Sequence, residues 1–281
     1  MLLLILLLQV AADTAGTFHL SIPSPLVQEV LVLCTSHLES PHRGVPEACS
    51  ATYTLLLGVV EAAWQEEERT LLLTTLLTSA LALPWSQKSK YPLLAILLIP
   101  LGAKHLLQSC PGLPQYLATS LASTHLVHAG LDLYRLLASS LPPASWQASC
   151  GLALLSSLLS SSSTVAQRSR SHWLPATYNL QPTALPWLKQ QLEQEDGEAA
   201  LLARLALLGL ARAQGEQEEE GGELPLLQRC AAHPNPEIRA AVFNAICQAK
   251  KRGSVPPATE LELVLGLLQN SATVHCSRCC S

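Results

Sequence analysis

Residues 233–246 carry a complete signal for the start of an amphipathic helix. Asn235 is a residue type that caps helices well, and Pro236 stands at the first helical position, where its missing N–H leaves no bond unmade. Glu237 falls in the first turn, where a carboxylate suits the positive end of the helix dipole. Apolar residues then recur at spacings of three and four, namely Ile238, Ala241, Val242, Ala245 and Ile246. Such a stripe needs a second element to cover it, so we expect this helix to be one member of a packed helical array.

The composition extends this expectation to the whole chain. Apolar residues make up 49% of the sequence and aromatic residues only 4%, so the core must be built mainly of leucine and alanine, which favour helices over sheets. Helical patterns alternate with short stretches rich in Pro, Gly or Ser. We predict helices at 25–39, 46–64, 67–83, 91–108, 113–123, 125–140, 144–160, 183–194, 198–214, 223–232, 236–250 and 257–269.

The predicted helices form pairs of roughly 40 residues, which is the length of HEAT and armadillo repeats. The order of residues at 235–241 also resembles the start of the second helix of such a repeat, in which Arg239 would reach carbonyls or carboxylates at the inter-repeat turn. A lone, well-capped amphipathic helix is the alternative for this stretch. Because the rest of the chain repeats the same plan, we predict an all-α fold, a HEAT/armadillo-like α-solenoid of antiparallel helix pairs.

Three segments are predicted along the chain. Residues 24–270 form the helical-repeat solenoid, with loops near 160–175, which is rich in serine, and 215–223, which is acidic and rich in glycine. Residues 1–23 are an apolar segment that imitates a signal peptide but has no positive n-region, and the end of a repeat is the preferred interpretation. Residues 271–281 are a Cys-rich tail that could be half a metal site or a palmitoylation cluster, and we assign it no function.

Motifs that carry chemistry are missing from the sequence. It contains no Gly-rich nucleotide loop, no H-E-x-x-H and no G-x-S-x-G, so we predict a non-enzyme without catalytic, cofactor-binding or metal-binding residues. His125 and His128 share a helix face, but no acidic or cysteine partner lies nearby in sequence, and surface histidines are the preferred interpretation. Most of the nine cysteines lie singly in helical patterns, which favours a reducing compartment. No apolar run reaches the roughly 18 residues of a membrane span.

The formal net charge of −4 argues against a dedicated nucleic-acid binder. Basic residues cluster at three places, Lys88 with Lys90, Arg168 with Arg170, and Lys250 with Lys251 and Arg252. Solvated loop or helix-end charges are the preferred interpretation of each cluster. The second and third clusters are the candidate contacts with a partner.

Two stretches, residues 88–107 and residues 226–239 with their continuation to 270, resemble the thyroid adenoma-associated protein family. Residues 145–146 and 201–215 fit the same order of helices, so the resemblance is collinear from about residue 24 to 270. That family is similar to fungal regulatory subunits of a tRNA ribose methyltransferase.

The resemblance implies a cytosolic scaffold that binds a Rossmann-type tRNA 2′-O-methyltransferase and helps it to modify the anticodon loop. The methyl donor would belong to the enzyme, and tRNA would be reached through the complex, with Arg168, Arg170, Lys250, Lys251 and Arg252 as candidate contacts. Two alternatives stay open: a generic HEAT/armadillo adaptor for protein cargo, and a secreted helical protein that enters through the segment at residues 2–8.

Overall fold

The protein is helical throughout the part of the chain that its structure describes. The structure is a computed structural model, and it describes residues 24–42, 44–214, 223–250 and 258–279. Within these ranges every regular element is a helix, and no strand is present. The predicted all-α fold class is therefore confirmed.

The described residues form two compact units, which are divided between Cys150 and Gly151. The helices of the first unit are α1 (Ser24–His37), α2 (Val45–Ala63), α3 (Glu66–Ala82), α4 (Lys90–Leu101), α5 (Ala103–Ser109), α6 (Leu113–Ala122), α7 (Val127–Leu137), a 3₁₀ turn (Ala138–Ser140) and α8 (Pro143–Trp146). A π-helical segment, Gln147–Gly151, follows α8. The helices of the second unit are α9 (Leu152–Leu158), α10 (Ser163–Arg168), a π-helical segment (Ser169–Trp173), α11 (Leu174–Leu180), a 3₁₀ turn (Pro182–Ala184), α12 (Leu185–Gln194), α13 (Glu198–Gln214), α14 (Leu224–Ala231), α15 (Pro236–Lys250) and α16 (Ala258–Cys279).

The clearest differences between the predicted and the observed helix bounds concern two helices. The helix predicted at 91–108 is divided into α4 and α5 at Gly102, whose φ of 77° is a conformation that favours glycine. Pro100 lies just before this break, inside the last turn of α4, where its ring disfavours a continuous helix. The last helix, predicted to end at 269, continues to Cys279, because neither glycine nor proline follows residue 269 to end it.

The loop predicted near residues 160–175 is wrong, because only residues 160–162 lack helical structure there. Helix α10, the π-helical segment and α11 occupy residues 163–180. Ala166, Ser169, Trp173 and Thr177 recur at spacings of three and four and are all buried, so a helical stripe exists beneath the serine-rich composition. The predicted loop at 215–223 lies outside the described residues except for Glu223, and the apolar segment at 1–23 lies outside them entirely.

The start of α15 matches its prediction. The side-chain oxygen of Asn235 accepts a hydrogen bond of 2.8 Å from the backbone N–H of Glu237. The Arg239 guanidinium donates to the carbonyl oxygens of His233 at 2.8 Å and Pro234 at 2.7 Å, at the turn between α14 and α15. The predicted stripe along α15 is turned inward and packs chiefly against α13, with Ile238, Val242, Ala245 and Ile246 buried and Ala241 half-buried.

We expect Asn235→Ala to lower the free energy of unfolding by about 1 kcal/mol, because it removes the cap of α15. The change also removes a hydrogen bond of 2.7 Å from the Asn235 amide to Glu198 in the first turn of α13. Urea unfolding followed by far-ultraviolet circular dichroism measures the effect. The matched control is Asn244→Ala, at an exposed position of the same helix, which should leave stability nearly unchanged. Equal unfolding curves for the two variants would contradict the capping role.

Lys90 is buried, whereas the sequence predicted a solvated charge. Its ammonium donates to the carbonyl oxygens of Leu81 at 2.8 Å and Leu83 at 2.5 Å, at the C-terminal end of α3. The same group lies 3.7 Å from the centre of the Trp85 ring. Burial lowers the pKa of Lys90, and the nearby Cys110 opposes this shift. Lys90 therefore neutralises the negative end of the α3 dipole from inside the first unit.

Candidate binding groove

A groove with a volume of about 580 Å³ lies in the second unit, between one face of α12 and one face of α13. Helix α12 contributes Leu185, Pro186, Lys189 and Glu193, and helix α13 contributes Arg204, Leu207, Leu208 and Ala211. Tyr178, Pro182, Glu223 and Leu226 complete the lining of this α12–α13 groove. Its volume is within the range of roughly 300–1,000 Å³ that is typical of ligand pockets.

The sequence produces this groove through helical spacing. The four residues from each helix lie one, three or four residues apart, so each set lies on one helix face. Only residues 195–197 separate α12 from α13, and Gly197 has a φ of 112°, which favours glycine. Such a short connection makes the two helices antiparallel neighbours.

The middle of the groove is apolar, and its charged groups lie toward the ends. Leu207 and Leu208 are buried in the α13 wall, while Leu185 and Leu226 are half-buried. Lys189 and Glu193 are exposed at the rim, on the last two turns of α12. The groove therefore combines aliphatic contact surface with a few charged groups, as protein-binding and ligand-binding sites do.

Arg204 is the half-buried cation of the groove. Among the described residues, no carboxylate accepts a hydrogen bond from its guanidinium or lies within ion-pair distance of it. Burial raises the pKa of the Cys230 thiol on α14. The positive charges of Arg229 and Arg204 act in the opposite direction and lower this pKa. Arg204 thus places a positive charge in a largely apolar wall.

Arg212 holds the opposite end of the groove in place. Its guanidinium donates two hydrogen bonds to Glu223, of 3.0 and 2.6 Å, and two to Glu260, of 3.0 and 2.7 Å. The exposed fractions of these side chains are only 12% for Arg212, 18% for Glu223 and 9% for Glu260. Burial alone would lower the pKa of Arg212, but the two carboxylates raise it. This Arg212–Glu223–Glu260 cluster joins the end of α13, the start of α14 and the first turn of α16.

The candidate contacts predicted from sequence lie elsewhere. Arg168 is half-buried on α10. Arg170 forms an ion pair of 2.8 Å with Glu237 in the first turn of α15, and both line a smaller cavity of about 380 Å³ between α13 and α15. The side chain of Lys250, and all of Lys251 and Arg252, are outside the described residues. The structure therefore brings Arg170 to a carboxylate and leaves none of the described candidates in the α12–α13 groove.

The groove residues were not predicted from the sequence, although one signal was present. Arg204 and Arg212 are eight residues apart in the otherwise apolar sequence of α13, so they lie on the same helix face. A cation on the apolar side of a helix needs either an anionic partner or a functional role. In the structure, Arg212 has such partners in Glu223 and Glu260.

The described residues thus form an all-helical protein with a mixed apolar and charged groove. Compared with protein-family models, curated proteins and solved structures, the chain shows no significant match. None of the helices in the described ranges is long and apolar enough to cross a membrane. Within the same ranges, no three His, Cys, Asp or Glu residues converge in a way that could hold a metal ion.

Proposed function

We propose that this protein is a cytoplasmic, non-catalytic scaffold of the HEAT/armadillo type that acts as the regulatory partner of a tRNA ribose 2′-O-methyltransferase. The observation that carries the scaffold part is the α14–α15 pair. Its turn is held by Arg239, its second helix is capped by Asn235, and its apolar stripe is buried against a neighbouring helix. These are the features expected of one repeat in a stack of helical hairpins.

Packing between successive helices supports the same proposal. The pairs α1–α2, α3–α4, α6–α7, α12–α13 and α14–α15 each pack together. A helical hairpin cannot cover its own apolar face, so a series of such pairs is typical of repeat proteins that present long surfaces to other macromolecules.

Three cations, Lys90, Arg212 and Arg239, support a structural role for ionisable groups of the described chain. The Lys90 ammonium and the Arg239 guanidinium bind backbone carbonyls at helix ends. The Arg212 guanidinium joins three helices through two carboxylates. These groups maintain the fold, and the α12–α13 groove offers a surface for a partner.

The identity of the partner rests on the family resemblance of residues 88–107 and 226–270. In the proposed complex the methyltransferase contains the methyl donor and the catalytic residues, and this chain supplies docking surface. The tRNA is approached through the complex, because a chain with a net charge of −4 has little affinity for phosphate by itself.

Affinity capture tests this function. We expect tagged full-length chain, recovered from cytosol and analysed by mass spectrometry, to retain a 2′-O-methyltransferase, and purified methyltransferase to bind the chain in solution. Depletion of the chain should lower ribose methylation in the anticodon loop, measured by mass spectrometry of tRNA nucleosides. Recovery of other proteins without any methyltransferase would contradict the proposal.

The generic HEAT/armadillo adaptor is the second candidate, and the α12–α13 groove favours it equally. Its aliphatic centre and charged ends suit protein cargo of many kinds. Under this function, depletion of the chain leaves tRNA methylation unchanged while cargo proteins lose a common partner. The methylation measurement therefore separates the two candidates.

A further inference from the structure

The α12–α13 groove has the length of a short helical segment. Its lining on α12 runs from Leu185 to Glu193, eight residues along the helix, and its lining on α13 runs from Arg204 to Ala211. At a rise of 1.5 Å per residue, the α12 side of the groove is about 12 Å long. This length corresponds to about two turns of a bound helix.

The apolar centre of the groove suits aliphatic anchors. Leu185 and Pro186 face it from α12, Leu207 and Leu208 from α13, and Leu226 from α14. A third helix laid between two antiparallel helices presents side chains at positions i, i+3 or i+4, and i+7 to such a surface.

Charge complementarity selects the kind of helix. Glu223 already accepts two hydrogen bonds from Arg212, and Lys189 and Glu193 are both exposed on the rim. Arg204 is different, because its half-buried guanidinium has no carboxylate bound to it within the described part of the chain. A guanidinium in an apolar wall binds a carboxylate more strongly than a solvated guanidinium does, because less water competes for its hydrogen bonds.

We infer that the α12–α13 groove receives an amphipathic helix of a protein partner, with aliphatic side chains in the apolar centre and a Glu or Asp carboxylate on Arg204. This docking site rests on the proposed function, in which the chain is a scaffold that binds protein. It specifies the place on the scaffold where the partner docks and the contacts that hold it.

The direct test uses the full chain and two fluorescein-labelled, hydrocarbon-stapled helical peptides. Both carry leucines at i, i+3 and i+7, and they differ only in having Glu or Lys at the position that reaches Arg204. Fluorescence anisotropy should show that the Glu peptide binds about tenfold more tightly than the Lys peptide, which corresponds to about 1.4 kcal/mol. Equal affinity, or a preference for the Lys peptide, would overturn the inference.

Three variants make the test specific to the groove. Arg204→Glu should reverse the preference between the peptides. Pro186→Glu, at an exposed position in the first turn of α12 where a carboxylate is tolerated, should weaken binding of both peptides. Arg135→Glu, on the exposed surface of α7, is the matched control and should bind like the wild type. Circular dichroism confirms that each variant is folded, and unchanged binding by both groove variants would overturn the inference.

Two further measurements identify the occupant. Decanoate that binds more tightly than either peptide and displaces the Glu peptide would assign the groove to a small carboxylate and overturn the inference.

Purified methyltransferase separates this inference from the proposed function. If it binds wild type and Arg204→Glu equally, the groove inference fails while the function stands. If the Glu peptide binds as expected and the methyltransferase does not bind, the groove inference stands and the proposed function fails.

Discussion

Replacing Lys90 by methionine is expected to lower the free energy of unfolding by about 2–4 kcal/mol, because two partly buried carbonyls lose their donor. Methionine has a similar length, so the change removes the ammonium without leaving a large cavity. The carbonyls of Leu81 and Leu83 would then be unpaired at the end of α3, and the contact with the Trp85 ring would be lost.

The matched control for this prediction lies two residues away. Lys88 is exposed just before α4, and Lys88→Met should change stability by no more than about 0.5 kcal/mol. Urea unfolding followed by circular dichroism measures both variants. If Lys90→Met unfolded at the same urea concentration as Lys88→Met, the cap on α3 would have no energetic role.

The second large effect concerns the Arg212–Glu223–Glu260 cluster. Arg212→Met should lower the free energy of unfolding by about 3–5 kcal/mol, because two poorly exposed carboxylates lose their shared counter-ion. Arg212→Lys should fall between wild type and Arg212→Met, since an ammonium keeps the charge but cannot form paired hydrogen bonds to both carboxylates.

Neutralising the partners should rescue part of this loss. In the Arg212→Met background, Glu223→Gln with Glu260→Gln removes the two carboxylate charges that Arg212 no longer compensates, so the triple variant is expected to be more stable than Arg212→Met alone. Thermal and urea unfolding provide the comparison. A triple variant less stable than the single variant would show that the carboxylates do not depend on Arg212 for compensation.

Features set by short stretches of sequence were predictable. The start of α15 depends on Asn235, Pro236 and Glu237, which act within one turn, and its cap and Arg239 contacts have the expected partners. Most helices bounded by proline or glycine were also located closely, because those residues end helices by local geometry, but the break at Pro100 and Gly102 was missed.

Features set by contacts between distant residues were not predictable. Nothing adjacent to Lys90 in sequence indicates burial, because its acceptors belong to the end of the preceding helix. The partners of Arg212 lie 11 and 48 residues away, so their meeting depends on how four helices pack. At 163–180 the many serines concealed a buried stripe that a count by helical period would have found. The α12–α13 groove also depends on distant contacts, since four helices, α11 to α14, must be placed before its lining is complete.

The Arg212–Glu223–Glu260 cluster also has a consequence for the way the second unit opens. The Arg212 guanidinium lies 2.6 Å from the Glu223 carboxylate and 2.7 Å from the Glu260 carboxylate. The end of α13, the start of α14 and the first turn of α16 are therefore expected to open together, because separating any one of them would take a poorly exposed carboxylate away from Arg212.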